Sequence, residues 1–357
     1  MPRRLMLYGA TGYTGSLIAQ AASERGLDPI LAGRNAARLR ALAEPLRVAY
    51  RAADLDDVAR LDEALGDVGV LLNAAGPFSR TAPALSEACL RCGVHYLDLS
   101  GELPVFEQLH AHDLAARARN VMLMPGVGLV VVGSDCLAAH VARRLPDAHR
   151  LRIAISRIDY VSRGSAKTVI DLIDHGVAIR RNGVVASVPV GSLDRGFDYG
   201  QGERPSTVLT APDVLTAFFT TEIPNIEVYF EATALDRAMS RMLAGFARLL
   251  RTPLWQNLLR AQAALLPEGP SATARSGGVR TILAEAEDLR GQRVRSRLRT
   301  PDGYSFSVVT ALAIAERALA GEIAPGYQTP ARMYGADFVL QFDRVARDDL
   351  ADPEPSA

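Results

Sequence analysis

Lysine is almost missing from this sequence, and several other features are scarce. Of the 40 basic residues, Lys167 is the only lysine. The three cysteines are too few and too unevenly spaced for a disulfide framework, which favours a reducing compartment. No apolar run approaches the roughly 20 residues that span a bilayer, and the first strand-like run begins too close to Met1 to leave room for a signal peptide. We therefore expect a cytoplasmic protein.

An excess of charge of one sign is also missing. Lysine plus arginine and aspartate plus glutamate both number 40, so the formal net charge is +0. No basic block is present that would follow a phosphate backbone, which argues against a nucleic-acid partner. Cys89 and Cys92 form a C-x-x-C pair, but they lie in one helical stretch and no second ligand pair follows at zinc spacing. We read them as core residues and expect no metal.

The bulk composition is that of a large globular protein. The chain has 357 residues, of which 48% are hydrophobic, enough for about two domains. The first 135 residues repeat a strand and then a helix. The strand-like runs are 4–8, 29–32, 48–52, 68–73, 96–99 and 121–124. The helical stretches between them include 16–25, 36–43 and 82–92. This alternation predicts an α/β fold with a doubly wound Rossmann-type parallel sheet.

Beyond about residue 150 the pattern changes. The run 151–158 alternates apolar and polar residues, an Asn-Gly pair lies within 178–188, and a Pro-Asp-Gly triplet lies within 292–311. Such turns favour antiparallel hairpins. Helical stretches lie between them, at 166–175, 212–220 and 235–266.

These patterns predict four segments. Residues 1–150 form a Rossmann-type NADP-binding domain, and 151–308 form an inserted mixed α+β domain for substrate binding and dimerisation. Residues 309–350, helical at first, return to the first domain, and 351–357 form a disordered tail.

The strongest motif is "GATGYTG" at residues 9–15. Its first glycine permits a tight turn after the strand, its second permits close approach of a pyrophosphate, and its third permits close helix packing. The helix that follows directs its N–H groups and the positive end of its dipole at the phosphates. Because the motif follows a strand and precedes an amphipathic helix, it predicts a dinucleotide site. The cofactor-binding residues expected here are Gly9, Thr11, Gly12, Tyr13, Thr14 and Gly15.

Residues after the next strands predict the choice of cofactor. An acidic residue at the end of the second strand would bind the ribose hydroxyls of NAD, but this sequence has Arg34 and Asn35 there. A guanidinium can bind a 2′-phosphate through two parallel hydrogen bonds, which favours NADP over a simply solvated arginine. Asp54 is placed to accept from the adenine amino group, although a helix cap would look the same. After the fourth strand, Ala75 and the pair Gly76 and Pro77 are expected beside the nicotinamide or its ribose.

Several motifs together resemble one family. "YGATGYTG", "AGRN", "NAAGPF", "HYLDLSGE", "MPGVGLVVVGSDCLAAHVARRL" and "GYQTPARMYG" are similar to the saccharopine dehydrogenase-like oxidoreductases, in particular the bacterial branch that includes trans-acting enoyl reductases. The resemblance covers the first 150 residues and reappears near the C-terminus. It implies an NADP-binding Rossmann domain with a substrate and dimerisation domain inserted before the final helices. Because substrates vary among the members, it does not supply a reaction.

Candidates for chemistry are fewer. Hydride transfer needs an acceptor carbon held over the nicotinamide and a donor for the charge that develops. Tyr160 and Lys167 lie near a predicted helix start, where Lys167 would stabilise an enolate or alkoxide and Tyr160 would supply a proton. A solvated lysine and a half-buried tyrosine are the competing interpretation. Asp98 and Glu102 end the fifth strand and would orient substrate or water, or else cap the helix that begins near Leu103.

The stretch 235–266 is amphipathic and basic, with Arg237, Arg241, Arg248 and Arg251 beside an apolar face. Such a helix packs on its own domain or on a twin subunit, or meets a membrane surface or an acidic carrier. We expect a homodimer and a small-molecule or acyl-chain substrate, either free or bound to a carrier, and we do not favour the membrane. The leading function is NADP-dependent reduction of a conjugated enoyl thioester. Reduction of an imine between an amino acid and a keto acid, or a nucleotide-bound interaction protein with little turnover, are the alternatives.

Overall fold

The computed structural model describes residues 4–157, 176–238, 252, 255 and 269–351. The chain divides into two compact units, the first formed by Met1–Val130 with Tyr304–Met333 and the second by Val131–Gly303 with Tyr334–Ala357. Helices and strands below are numbered over the described residues. No described helix has the length and apolar character needed to cross a bilayer.

The first unit contains a parallel sheet of seven strands. Their order is β15-β6-β5-β4-β1-β2-β3, and every neighbouring pair is parallel. The strands are β1 Arg4–Tyr8, β2 Ile30–Gly33, β3 Tyr50–Ala52, β4 Val68–Asn73, β5 His95–Asp98, β6 Met122–Met124 and β15 Gly326–Tyr327. All six residues of β4 are buried, as expected for a parallel strand with both faces covered. The predicted Rossmann-type fold is confirmed.

Helices connect these strands. Those in or entering the first unit are α1 Tyr13–Glu24, α2 Ala36–Leu46, α3 Val58–Ala64, α4 Phe78–Cys92, α5 Leu103–Ala111, α6 Asp113–Ala118, α10 Gly303–Leu319 and α11 Pro330–Tyr334. Cys89 is fully buried in α4, as the interpretation of a core residue requires, and Cys92 is half-buried. Each predicted strand of this domain is present, with bounds that agree within two residues.

The second unit contains a mixed sheet of nine strands. Seven run in the order β10-β11-β12-β7-β13-β14-β16, β8 pairs with β12, and β9 pairs with β8. The strands are β7 Arg150–Ile155, β8 Val177–Arg181, β9 Val184–Val188, β10 Asp194–Asp198, β11 Glu203–Val208, β12 Asn225–Glu231, β13 Val279–Glu287, β14 Arg293–Pro301 and β16 Ala346–Leu350. Its helices are α7 Leu129–Arg144, α8 Asp213–Thr221 and α9 Ala272–Ser276, with a short 3-10 turn at Phe338–Gln341.

Charged residues occupy the middle of this sheet because they pair across strands. Arg152 on β7 lies opposite Glu285 on β13, and its guanidinium lies 2.6 Å from that carboxylate. Arg195 on β10 donates two hydrogen bonds of 3.0 Å to the same Glu285. Burial is tolerated here because each charge has an opposite partner.

The structure departs from the sequence expectations in the C-terminal half. The Asn-Gly pair joins β8 to β9 as predicted. The Pro-Asp-Gly hairpin is wrong: β14 ends at Pro301 and α10 begins at Gly303, while β14 pairs with the preceding strand β13 and with β16. The helix therefore starts six residues before the predicted position 309.

The division of the chain also differs from the expected one. The first break falls after Val130 rather than near 150, because α7 packs mainly with the second unit. Residues 334–351 group with the second unit, where β16 pairs with β14, and only the part up to Met333 returns to the first. The predicted helix at 166–175, residues 239–251, 253–254 and 256–266 of the stretch 235–266, and residues 352–357 lie outside the described residues.

Candidate cofactor site

The candidate site is built where the strands of the first sheet end. Strands β4, β1 and β2 are neighbours, so the loops that follow them lie side by side at one edge. In open parallel sheets, this carboxyl edge is where ligands bind.

The glycine loop after β1 is held against the loop after β4. Gly9 has a φ of +82°, and a Cβ built on it would lie 2.6 Å from the backbone nitrogen of Ala75. Its N–H donates to the carbonyl of Ala32 at 2.8 Å. A Cβ on Gly15 would overlap the carbonyl oxygen of Gly9. Gly9 therefore requires glycine for both backbone conformation and space, and Gly15 requires it for space.

The second glycine of the motif, Gly12, faces open space. It is exposed, and among the described residues a Cβ built there would meet only the carbonyl oxygen of Gly9, at 3.3 Å. Gly12 is the N-cap of α1, no side chain in the described part of the chain caps this helix, and its first turn contains no acid. An uncapped helix start beside an open glycine fits a pyrophosphate, which would accept from the N–H groups at the helix start. Thr11, Tyr13 and Thr14 are half-buried around it.

A cavity of about 290 Å³ lies beyond the ends of β2 and β3. It is lined by Arg34, Ala52, Ala53, Asp54, Asp57 and Arg60. The cavity brings together the predicted Arg34 and Asp54 and adds Arg60, which the sequence reasoning missed. Arg60 lies in the first turn of α3, whose N-cap Asp57 accepts from the Arg60 N–H at 3.1 Å. The sequence feature that could have identified Arg60 is its position three residues after Asp57, a residue type that caps helix starts.

Both arginines of this cavity have their charge available. Neither the Arg34 nor the Arg60 guanidinium makes a hydrogen bond or ion pair with another residue in the described part of the chain. By contrast, Asn35 is already used, because its side chain caps α2 by accepting from the Arg38 N–H at 3.0 Å. Two unpaired guanidinium groups on one cavity fit the 2′-phosphate of NADP.

Tyr8 lies buried at the end of β1, beside this cavity. Its hydroxyl donates to the carbonyl of Ala53 at 3.0 Å. Burial, reinforced by the nearby Asp54 carboxylate and offset by Arg34, raises the pKa of Tyr8 to about 12. Tyr8 therefore stays neutral and supports the backbone that forms the cavity.

The loop after β4 contains the predicted Ala75, Gly76 and Pro77. The peptide bond between Gly76 and Pro77 is cis. Ala75 is bound on both sides, since its N–H donates to Asn73 at 2.9 Å and its carbonyl accepts from Thr81 at 2.6 Å. The loop is thus fixed by buried side chains of its own neighbourhood.

Glu102 fixes the far end of the same loop. Its two carboxylate oxygens accept from the N–H groups of Phe78 and Ser79, both at 2.8 Å. The sequence suggested a cap on the helix at Leu103, but the carboxylate caps α4 instead. A carboxylate at a helix start accepts hydrogen bonds from the free N–H groups and neutralises the positive end of the helix dipole. The start of α4 is therefore already occupied, whereas the start of α1 is open to a phosphate.

Asp98 ends β5 and is fully buried. Its carboxylate accepts from the N–H groups of Ser100 at 2.8 Å and Gly126 at 3.0 Å, and from the Tyr96 hydroxyl at 3.0 Å. Burial raises its pKa to about 6, although these three donors oppose the shift. The contacts give Asp98 a structural task, and its catalytic role stays a prediction. Tyr160 and Lys167, the other catalytic candidates, lie outside the described residues.

The fold and this edge define the first unit as a dinucleotide-binding Rossmann domain. More particularly, residues 5–124 match the family model described as saccharopine dehydrogenase NADP binding domain. The resemblance inferred from the motifs and the assignment of NADP as cofactor are both confirmed.

Curated relatives match a similar part of the chain. A trans-acting enoyl reductase from Mycobacterium leprae is 34% identical over 149 residues, which cover 40% of this chain and 36% of that protein. A saccharopine dehydrogenase-like oxidoreductase from Homo sapiens is 28% identical over 136 residues, which cover 32% of each chain. The chain thus spans about a third of the length of these relatives.

A solved structure extends the likeness to both units. Apo saccharopine dehydrogenase (L-Glu forming) from Saccharomyces cerevisiae aligns over 98% of this chain and 100% of that chain, with a TM-score of 0.66 and 12% identity. At this identity the likeness concerns the fold.

Proposed function

We propose that this protein is an NADP-dependent reductase of a conjugated enoyl thioester on an acyl chain. The observation that carries the cofactor part is the pairing of the uncapped start of α1 with the cavity that holds Arg34 and Arg60. Bound NADPH supplies a hydride. The protein binds the phosphates at both ends of the adenosine half: the pyrophosphate at the start of α1 and the 2′-phosphate at the cavity.

The division of labour among the residues follows from their contacts. The N–H groups at the start of α1 bind the pyrophosphate, and Gly12 lets it approach. Arg34 and Arg60 bind the 2′-phosphate, and Asp54 accepts from the adenine. Ala75 and its loop, held by Asn73 and Glu102, hold the nicotinamide half against backbone.

The choice of an enoyl thioester is supported by the partial similarity to trans-acting enoyl reductases. In this proposal Lys167 stabilises the enolate that hydride addition produces, and Tyr160 supplies the proton that the enolate takes up. The alternative imine substrate carries several carboxylates and needs unpaired arginines to bind them. On the second sheet, Arg152 and Arg195 already share Glu285, so they are poor candidates for that task. A homodimer acting on a carrier-bound chain remains part of the proposal.

The cofactor part is tested by binding. Titration calorimetry with NADPH and NADH is compared for the wild type and for Arg34→Ala, Arg60→Ala and the control Arg38→Ala. Because a charge-assisted hydrogen bond contributes about 1.5 to 3 kcal/mol, each cavity variant should lose about tenfold to a hundredfold in NADPH affinity and little in NADH affinity. The control, an exposed arginine of α2, should lose neither. Equal NADPH affinity in all four proteins would refute the assignment of the cavity.

The reaction is tested by NADPH consumption on a panel of enoyl thioesters, with amino acid and keto acid mixtures beside them. Activity on the thioesters that is lost in Lys167→Ala and Tyr160→Phe supports the proposal. Activity on the mixtures alone would favour the imine reaction, and activity on neither would refute both reductases.

A further inference from the structure

Helix α10 lies against the loop that follows β6 in the first unit. The Ser307 hydroxyl oxygen accepts from the Leu129 N–H at 3.0 Å, and the Thr310 hydroxyl donates to the Val127 carbonyl at 2.9 Å. Gly128 packs so closely on the helix that a Cβ there would lie 2.8 Å from the Ser307 oxygen. The first turns of α10 therefore have a fixed position at the carboxyl edge of the sheet.

Tyr304, one turn before Ser307, reaches the glycine loop. Its ring meets the ring of Tyr13 edge to face, with centroids 5.2 Å apart and planes at 90°. Tyr13 is the first residue of α1, directly after the open Gly12. Both tyrosines are half-buried, so part of each ring remains accessible. A segment almost 300 residues away in sequence thus contributes to the surroundings of the glycine loop.

The strand order shows which half of a dinucleotide Tyr304 would meet. The cavity of Arg34 and Arg60 lies beyond β2 and β3, on one side of β1. On the other side come β4, β5 and β6 in turn, and α10 spans from the loop of β1 to the loop of β6. A dinucleotide with its phosphates at the glycine loop and its adenosine beside Arg34 directs its nicotinamide riboside toward α10.

We propose that Tyr304, together with Tyr13, forms an aromatic wall that binds the nicotinamide riboside half of NADP. The proposal rests on the proposed orientation of the cofactor. A flat heteroaromatic ring packs favourably on a tyrosine ring. Tyr304 is thereby a cofactor-binding residue that α10 contributes to the first unit.

Binding of three ligands of decreasing size distinguishes the contribution of this wall from that of the cavity lined by Arg34 and Arg60. NADPH contains the nicotinamide, 2′-phospho-ADP-ribose lacks only that ring, and 2′,5′-ADP lacks the nicotinamide riboside together with the phosphate attached to it. Dissociation constants are measured by calorimetry for the wild type, Tyr304→Ala, Tyr304→Phe and the control Arg317→Ala, which alters α10 near its other end. Circular dichroism and thermal unfolding report whether each variant is folded.

We expect Tyr304→Ala to weaken NADPH binding about tenfold and to leave the affinity for 2′,5′-ADP unchanged. Tyr304→Phe should retain most of the NADPH affinity, because it keeps the ring, and Arg317→Ala should retain all of it. Equal weakening of NADPH and 2′,5′-ADP, or no weakening of either, overturns the proposal. If Tyr304→Ala does not fold, Tyr304→Leu is measured in its place with the same two criteria.

The same titrations distinguish the two proposals. Arg34→Ala should weaken every ligand that carries a 2′-phosphate, including 2′,5′-ADP. If Arg34→Ala behaves so and the Tyr304 variants bind all three ligands like the wild type, the aromatic wall fails and the cofactor orientation stands. If Arg34→Ala weakens none of them, the orientation fails, and the wall that rests on it is rejected too.

Discussion

Asp98 offers a test of how burial controls charge at the edge of the first sheet. Its carboxyl is fully buried, and its pKa is about 6 instead of 3.8. At about 1.4 kcal/mol for each pH unit, the charged form costs the folded protein about 3 kcal/mol. Because the folded-state pKa is the higher one, the stability that the neutral acid contributes is complete below about pH 4 and is lost as the pH rises through about 6.

The substitution Asp98→Asn imitates the protonated acid. Its amide oxygen can still accept from the N–H groups of Ser100 and Gly126, and its NH₂ group faces the Tyr96 hydroxyl. Between about pH 4 and about pH 7, we expect the unfolding free energy of the wild type to fall by about 2 kcal/mol relative to the variant. Urea unfolding followed by circular dichroism at a series of pH values measures this difference.

Asp113 provides a control of opposite sign in the same unit. Partial burial would raise its pKa, but Arg117 and the Tyr327 N–H outweigh it and lower the pKa. Asp113→Asn should therefore be most damaging at neutral pH and harmless in acid. A difference between wild type and Asp98→Asn that stays constant with pH, or that favours the wild type as the pH rises, refutes the reasoning about Asp98.

Three further substitutions have definite expected outcomes. Burial, with a smaller effect of a neighbouring carboxylate, raises the pKa of Asp213 to about 7, so Asp213→Asn should gain up to about 4 kcal/mol over the wild type as the pH rises from acid to about 8, measured by urea unfolding. Gly9→Ala places a methyl group 2.6 Å from the Ala75 nitrogen at a left-handed φ, so thermal unfolding should show a marked loss of stability and calorimetry a loss of NADPH binding. Glu102→Ala leaves two backbone N–H groups at the start of α4 without their acceptor and should cost about 1 to 3 kcal/mol by urea unfolding, whereas Glu102→Gln should recover part of this.

Local patterns in the sequence were sufficient for the first domain. The buried run of β4 and the glycine spacing of residues 9–15 are patterns within a few neighbouring residues, so they could be recognised without knowledge of the contacts that these segments make. The Asn-Gly pair between β8 and β9 was also read correctly, because a two-residue turn is decided by the conformations its own residues prefer. Arg34 was found because its position follows directly from the end of β2.

Predictions failed where a segment had two local possibilities. The Pro-Asp-Gly triplet after β14 suits a hairpin, but it also suits the start of a helix, and β14 finds its partners in β13 and in the distant β16. Glu102 shows the same ambiguity, since its carboxylate caps α4 across the sheet edge instead of the helix beside it in sequence. In both cases the observed structure depends on contacts with residues that are not neighbours in the sequence.

The amino-acid sequence alone was enough to predict the parallel sheet, the glycine loop and the preference for NADP. Each of these predictions rests on a short segment: the apolar strand runs, the glycine spacing and the position of Arg34. Only the tertiary structure decided that Arg60 joins Arg34 at one cavity, that Glu102 and Asp98 are used as buried acceptors, and that Tyr304 reaches Tyr13. The physical reason is that these contacts join segments far apart in the chain, and their geometry exists only after the strands have taken their order in the sheet.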